Sequence, residues 1–170
     1  MRLFEPLFTA LSASRVRYVV VGGLAVVLQG YPRLTADIDL ILDLDPAAAR
    51  RAMAAFLRLG FKPRAPVDPM DFADPARREA WIAEKGMMVF SLFSRANPML
   101  AVDLFVRNPV SFDRLWARAD RMRLGKARVR VASVEDLIAM KKSAGRPRDR
   151  EDVAALRALK RARGRRRGRP

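Results

Sequence analysis

The order of three short stretches constrains this chain most. A β-branched and aromatic run, Arg15 to Val21, ends in Gly22-Gly23 and gives way to the helical pattern Leu24 to Gln29. Fourteen residues after Gly23, Asp37-Ile38-Asp39 opens a run that alternates acid and aliphatic side chains through Leu44. A third acid, Asp103, lies inside the apolar run Ala101 to Val106. Runs of this kind read as strands, and residues two apart on a strand share a face. Asp37 and Asp39 therefore project together, away from Ile38 and Leu40. Adjacent carboxylates repel and resist desolvation. A divalent cation relieves both costs, and a third carboxylate from a neighbouring strand completes an oxygen site suited to displacement at phosphorus.

The glycine pair has a different use. Without Cβ atoms the backbone can approach a phosphate closely, and the start of a helix offers unpaired N–H groups. Each feature alone is common: Gly-Gly in turns, DxD in loops, a single strand acid in an ion pair. Their joint order on strands is what points to chemistry.

Composition narrows that chemistry. The chain has 170 residues, 51% hydrophobic, which suits one domain with a buried core. Cysteine and histidine are both absent. That excludes disulfides, thiolate nucleophiles, zinc–sulfur sites and every mechanism built on imidazole. Carboxylates, Lys, Arg, hydroxyls and backbone amides remain, and an oxygen site suits Mg²⁺ or Mn²⁺. The net charge is +16, and residues 157–170 hold eight of the cations and no acid. A polyanionic partner follows, whether nucleic acid, nucleotide phosphates or an acidic protein, unless this end is simply solvated. The longest apolar stretch, Tyr18 to Leu28, is shorter than the ~20 residues that span a bilayer. No targeting pattern stands out, so a cytoplasmic protein without membrane contact is expected.

Helical spacing at Leu3, Phe4, Leu7, Phe8 and Leu11 predicts a first helix. Asp45-Pro46 opens another that closes at Gly60. Four prolines between Pro63 and Pro75 make that stretch mostly loop, with room for one short strand. A short helix over 75–84, strands over 87–93 and 100–106, a helix over 111–119 and a hairpin around Gly125-Lys126 follow. The apolar side chains Trp81, Met87, Met88, Phe90, Phe93, Phe105 and Trp116 are read as core. Ser133 caps a helix reaching Ala144, and Asp149 caps a last helix ending near Arg163. Gly164 and Gly168 are expected to break the basic run, leaving 1–163 as the domain and 164–170 as a disordered basic tail.

Taken together, Val21-Gly-Gly-Leu-Ala-Val26, Gly30-Tyr-Pro-Arg-Leu-Thr-Ala-Asp-Ile-Asp-Leu40 and Val102-Asp-Leu-Phe105 resemble the polymerase-β-type nucleotidyltransferase superfamily. The likeness is to its small bacterial branch of AbiEii/AbiGii toxin-like, minimal and antibiotic-modifying enzymes. The stretch Asp136 to Asp152 resembles a further motif of the AbiEii-like branch. The resemblance covers roughly residues 15–160, and residues 61–84 match nothing in it.

It implies an α/β nucleotidyltransferase fold, a mixed sheet of four or five strands flanked by helices, with the site at one sheet edge. It implies transfer of a nucleoside monophosphate from an NTP to a hydroxyl of RNA (such as tRNA), a protein or a small molecule. A toxin–antitoxin partner is also implied. Asp37, Asp39 and Asp103 would hold the metal, with Asp103 near the attacking hydroxyl. Gly22 and Gly23 would hold the triphosphate, and Lys141 would reach the nucleotide or its phosphates. Arg33 and Thr35 would orient phosphate or brace the loop. Asp149 and Asp152 are secondary candidates, Asp152 as a partner of Lys141 or Arg148. Many members carry Gly-Ser where this chain has Gly22-Gly23, so one hydroxyl contact to phosphate is missing. The alternative is a non-catalytic nucleic-acid-binding or antitoxin-like partner that keeps the fold.

Overall fold

The computed structural model describes residues 4–35, 37–97 and 99–167, with side chains through Arg165. Its strands are β1 (Tyr18–Val21), β2 (Asp37–Leu42), β3 (Phe61–Pro63), β4 (Val89–Ser94), β5 (Ala101–Phe105), β6 (Asp120–Leu124) and β7 (Ala127–Val131). Its helices are α1 (Glu5–Ala13), α2 (Gly22–Leu28), α3 (Pro46–Arg58), α4 (Pro75–Lys85), α5 (Phe112–Arg118), α6 (Val134–Ala144) and α7 (Pro147–Arg167).

All seven strands join one mixed sheet in the order β3-β4-β5-β2-β1-β7-β6. Four or five were expected. The β6–β7 hairpin supplies the difference, because β7 pairs in parallel with β1 through Val20 and Val131. The short strand among the prolines, β3, adds an edge by pairing with β4.

The central strands are buried on both faces. Every residue of β1 is buried, and Ile38, Leu40, Ile41 and Leu42 of β2 have no exposed surface. Helices packed on a sheet produce such continuous apolar runs. Local signals set the ends of the elements. The Asp45 carboxylate caps α3 by accepting from Ala47 and Ala48, and Gly86 closes α4 in the left-handed conformation.

Three local expectations are corrected. The break at Gly164 does not occur, since α7 continues to Arg167; Gly168 lies outside the described residues. Asp149 is three residues inside the start of α7, where it reaches back to accept from the Arg146 N–H at 3.2 Å. That is the acidic half of a capping box, not the cap itself. Met88 is 67% exposed and is not core, although Trp81 and Phe90 are buried and stacked.

Candidate active site

The site lies at the middle of the sheet, not at an edge. Parallel pairing of β2 with β5 sets Asp39 directly beside Asp103. Neighbouring strands are about 4.8 Å apart, so the two carboxylates share one face at close range. Asp37, one step back on the same face, is registered against Ala101 and is exposed. Antiparallel pairing with β4 brings Ser91 to the other side of Asp103, and its hydroxyl donates to Asp103 Oδ1 at 2.6 Å. Ser91 was not legible in the sequence, because only the β4–β5 register selects it from the other serines.

On the opposite flank of β2, Val21 faces Asp39. The chain turns there from β1 into α2 with Gly22 at φ +62°. A Cβ at Gly22 would lie 1.8 Å from Asp39 Oδ2, so only glycine fits both the backbone and the gap. Gly23 donates a backbone hydrogen bond to Asp39. A Cβ at Gly23 would meet the Thr35 hydroxyl at 2.6 Å and Arg33 Nη2 at 3.2 Å. The space beside Gly23 is thus already filled by a hydroxyl and a guanidinium from the loop before β2.

Burial pushes the Asp39 carboxyl above the usual carboxylate range. Asp103 adds to this, the Gly23 N–H opposes it, Asp37 raises it further and Lys141 pulls it down. Lys141 is itself buried, with its Nζ 2.9 Å from Asp149 and 2.7 Å from Asp152. Asp152 also pairs with Arg33. Two cations and two carboxylates therefore tie the loop before β2 to α6 and α7. Burial alone would raise the Asp152 carboxyl, but hydrogen bonds and charge from Lys141 and Arg33 outweigh it and hold it low. The long basic side chain in the last turn of α6 is thus an internal strut, not an exposed complement to the helix dipole.

Among the described residues, no three acidic side chains form a ready-made cation cage. The donor chemistry nevertheless fits a hard divalent ion. Asp39 and Asp103 are all-oxygen ligands, and a cation would relieve their repulsion. Mg²⁺ is commonly held by one or two carboxylates together with substrate phosphates.

This arrangement places two carboxylates on adjacent parallel strands beside a glycine turn. The sequence profile described as "Nucleotidyl transferase AbiEii toxin, Type IV TA system" matches residues 7–167. The chain belongs to this AbiEii nucleotidyltransferase toxin family and is a nucleotidyltransferase. No curated protein matches significantly in sequence.

Solved structures share the fold. The lincosamide antibiotic adenylyltransferase LnuA, bound to lincomycin, is 15% identical with TM-score 0.60, covering 92% of this chain and 95% of its own. ANT(2'')-Ia with adenylyl-2''-tobramycin is 16% identical with TM-score 0.55, covering 96% and 97%. A nucleotidyltransferase-like protein from Paracoccidioides brasiliensis is 19% identical with TM-score 0.56, covering 93% and 75%. Among the described residues no helix is long and apolar enough to cross a membrane.

Proposed function

We propose that this chain transfers a nucleoside monophosphate from an NTP to an acceptor hydroxyl in the cytoplasm, using Mg²⁺ or Mn²⁺ held at Asp39 and Asp103 with help from Asp37. The observation that carries this reading is the Asp39–Asp103 register beside the Gly22 turn. When bound, the divalent ion neutralises triphosphate charge and stabilises the charge that develops at the α-phosphorus. Gly22 and Gly23 let the chain turn past the Asp39 carboxylate and the Thr35 hydroxyl without a Cβ in the way, and the Thr35 hydroxyl offers the contact that a serine at position 23 would have made. Asp103, fixed by Ser91, orients the acceptor hydroxyl and receives its proton. The acceptor oxygen forms a bond to the α-phosphorus as the bond to the bridging oxygen breaks. Pyrophosphate leaves, and the proton passes from Asp103 to solvent.

Lys141 holds Asp152 and Asp149, and through them the Arg33–Thr35 loop, rather than reaching the nucleotide as a free cation. Family membership supports an enzyme over a non-catalytic relative and supports a toxin–antitoxin setting. The net charge favours a polyanionic acceptor, RNA, over the small molecules named with LnuA and ANT(2'')-Ia. The test is incubation with α-labelled NTPs, Mg²⁺ and separate pools of tRNA, protein and aminoglycoside or lincosamide. Label should move to one pool and stop with chelator, with Asp39→Asn or with Asp103→Asn. Transfer undiminished in both variants would overturn the site.

A further inference from the structure

The β6–β7 hairpin ends the sheet. Its register sets Arg121 opposite Arg130 and Arg123 opposite Arg128. Alternation turns Met122, Leu124, Ala127, Val129 and Val131 the other way, so the four guanidiniums share one face. Arg121, Arg123 and Arg128 are exposed and Arg130 is half-buried. Like charges directly opposite weaken a strand pair. Among the described residues, none of the four forms an ion pair. The acids of adjoining elements serve other groups. Asp43 and Asp113 hold Arg17, Asp136 holds Arg118, and Asp120 accepts from Gln29.

A cavity of about 490 Å³ borders these arginines, within the size range of ligand sites. Tyr18 and Ser12 line its far wall, and the Tyr18 hydroxyl, on a side chain only 4% exposed, faces the Ser12 side chain. Burial pushes that hydroxyl up to about 12, so it stays a donor. Trp116 also lines the cavity and carries the Arg130 guanidinium 4.0 Å from its ring centre.

The register also fixes which side of the sheet the arginines occupy. Val21 pairs with Asp39, and Val20 pairs with Val131. Arg128 and Arg130 therefore point to the same side as Asp39 and Asp103, with only β1 between β2 and β7.

We infer that this hairpin face binds the phosphate backbone of an RNA strand, the acceptor of the transfer reaction. Cations recur about 7 Å apart along each strand, which fits a repeating anion. All four are arginine, whose planar fork matches phosphate oxygens two at a time. The Trp116 ring beside them suits a nucleotide better than an acidic peptide. An RNA strand also supplies the acceptor hydroxyl on the carboxylate side of the sheet. Naming the RNA as acceptor rests on the function proposed above, while the binding face does not.

The test measures binding of a labelled, mixed-sequence 20-nucleotide RNA to the full chain across a salt series. The comparison is the triple variant Arg121→Gln, Arg123→Gln, Arg128→Gln. Each phosphate contact on a single strand adds about 0.7 to the log–log salt slope, so the triple variant should lose about 2. Its thermal midpoint should hold or rise as repulsion falls, which shows that it is folded. Equal slopes would overturn the proposal. Tighter, arginine-dependent binding of poly-glutamate than of RNA would also overturn it and assign the face to an acidic protein. Asp39→Asn should bind the RNA like the unmodified chain but transfer nothing. If it still transfers, the catalytic assignment fails while the hairpin result stands.

Discussion

Asp39 is held in an unfavourable state when ionised. Its carboxyl is raised in the folded chain, first by burial and then by Asp103. A carboxyl with a raised folded pKa adds stability below its unfolded pKa and loses it as pH rises through the folded value. Asp39→Asn removes this ionisation cost. In chelator at pH 7 the variant should melt higher than the unmodified chain, by about 2–4 °C for each kcal/mol relieved. The gap should close as pH falls toward 4, and Mg²⁺ with NTP should reverse the order. A lower midpoint for Asp39→Asn at pH 7 in calorimetry would remove the argument. Gly22→Ala acts on the same atom from the other side. It forces a Cβ into φ +62° and against Asp39 Oδ2. The left-handed backbone alone costs about 1–2 kcal/mol, and the displaced carboxylate should lower transfer at least tenfold. Denaturant unfolding and turnover would check the two parts separately. Ser91→Ala should keep NTP affinity and lower kcat, because it frees Asp103 without touching the nucleotide. An NTP affinity that falls with kcat would place Ser91 in nucleotide binding instead.

The α6–α7 pair shows how an element can serve a site it does not line. Lys141 in α6 and Asp149 and Asp152 in α7 form a buried network that reaches Arg33. Asp152 is held low, so its contribution is present above the unfolded carboxylate pKa and lost as pH falls through the lower folded value. Asp152→Asn should cost about 3 kcal/mol, since removing one partner strands buried charge. A loss below 1 kcal/mol in urea unfolding would mean that Lys141 finds another anion. The element bounds were largely legible because the caps and glycines are local: Asp45, Gly60 and Ser133 each act within four residues. What escaped was non-local. Nothing in the sequence tells β7 to pair with β1, and that pairing is what makes seven strands. That the carboxylates lie on one face was legible from strand alternation, but their order of intimacy was not. The β2–β5 register gives Asp39 to Asp103 and leaves Asp37 outside. Gly164 was misread because a glycine costs a helix only about 1 kcal/mol, and the long α7 absorbs it.

At the scale of the whole molecule the charge is lopsided: half of the net +16 lies in residues 157–170. Arg163 anchors this end by donating to the side-chain and backbone oxygens of Gln29, each at 2.9 Å. Gln29 in turn donates to Asp120 at the start of β6. The basic end of α7 is thereby held beside the arginine hairpin, and the two should act as one field. Self-repulsion at this charge opposes folding and is screened by salt over about 10 Å at 0.1 M. Salt should therefore raise the thermal midpoint of the free chain while weakening RNA binding. Deleting residues 164–170 removes four arginines and leaves Arg163 and its anchor. The truncated chain should show a smaller salt-induced rise in midpoint and an RNA salt slope lower by up to about 3. Combined with the hairpin variant the loss should reach up to about 5, because each engaged cation adds its own increment to the slope. Melting curves and RNA titrations at matched ionic strengths measure both. A truncated chain with the full RNA slope but a smaller midpoint rise would assign the tail to self-repulsion alone and leave the hairpin as the docking face.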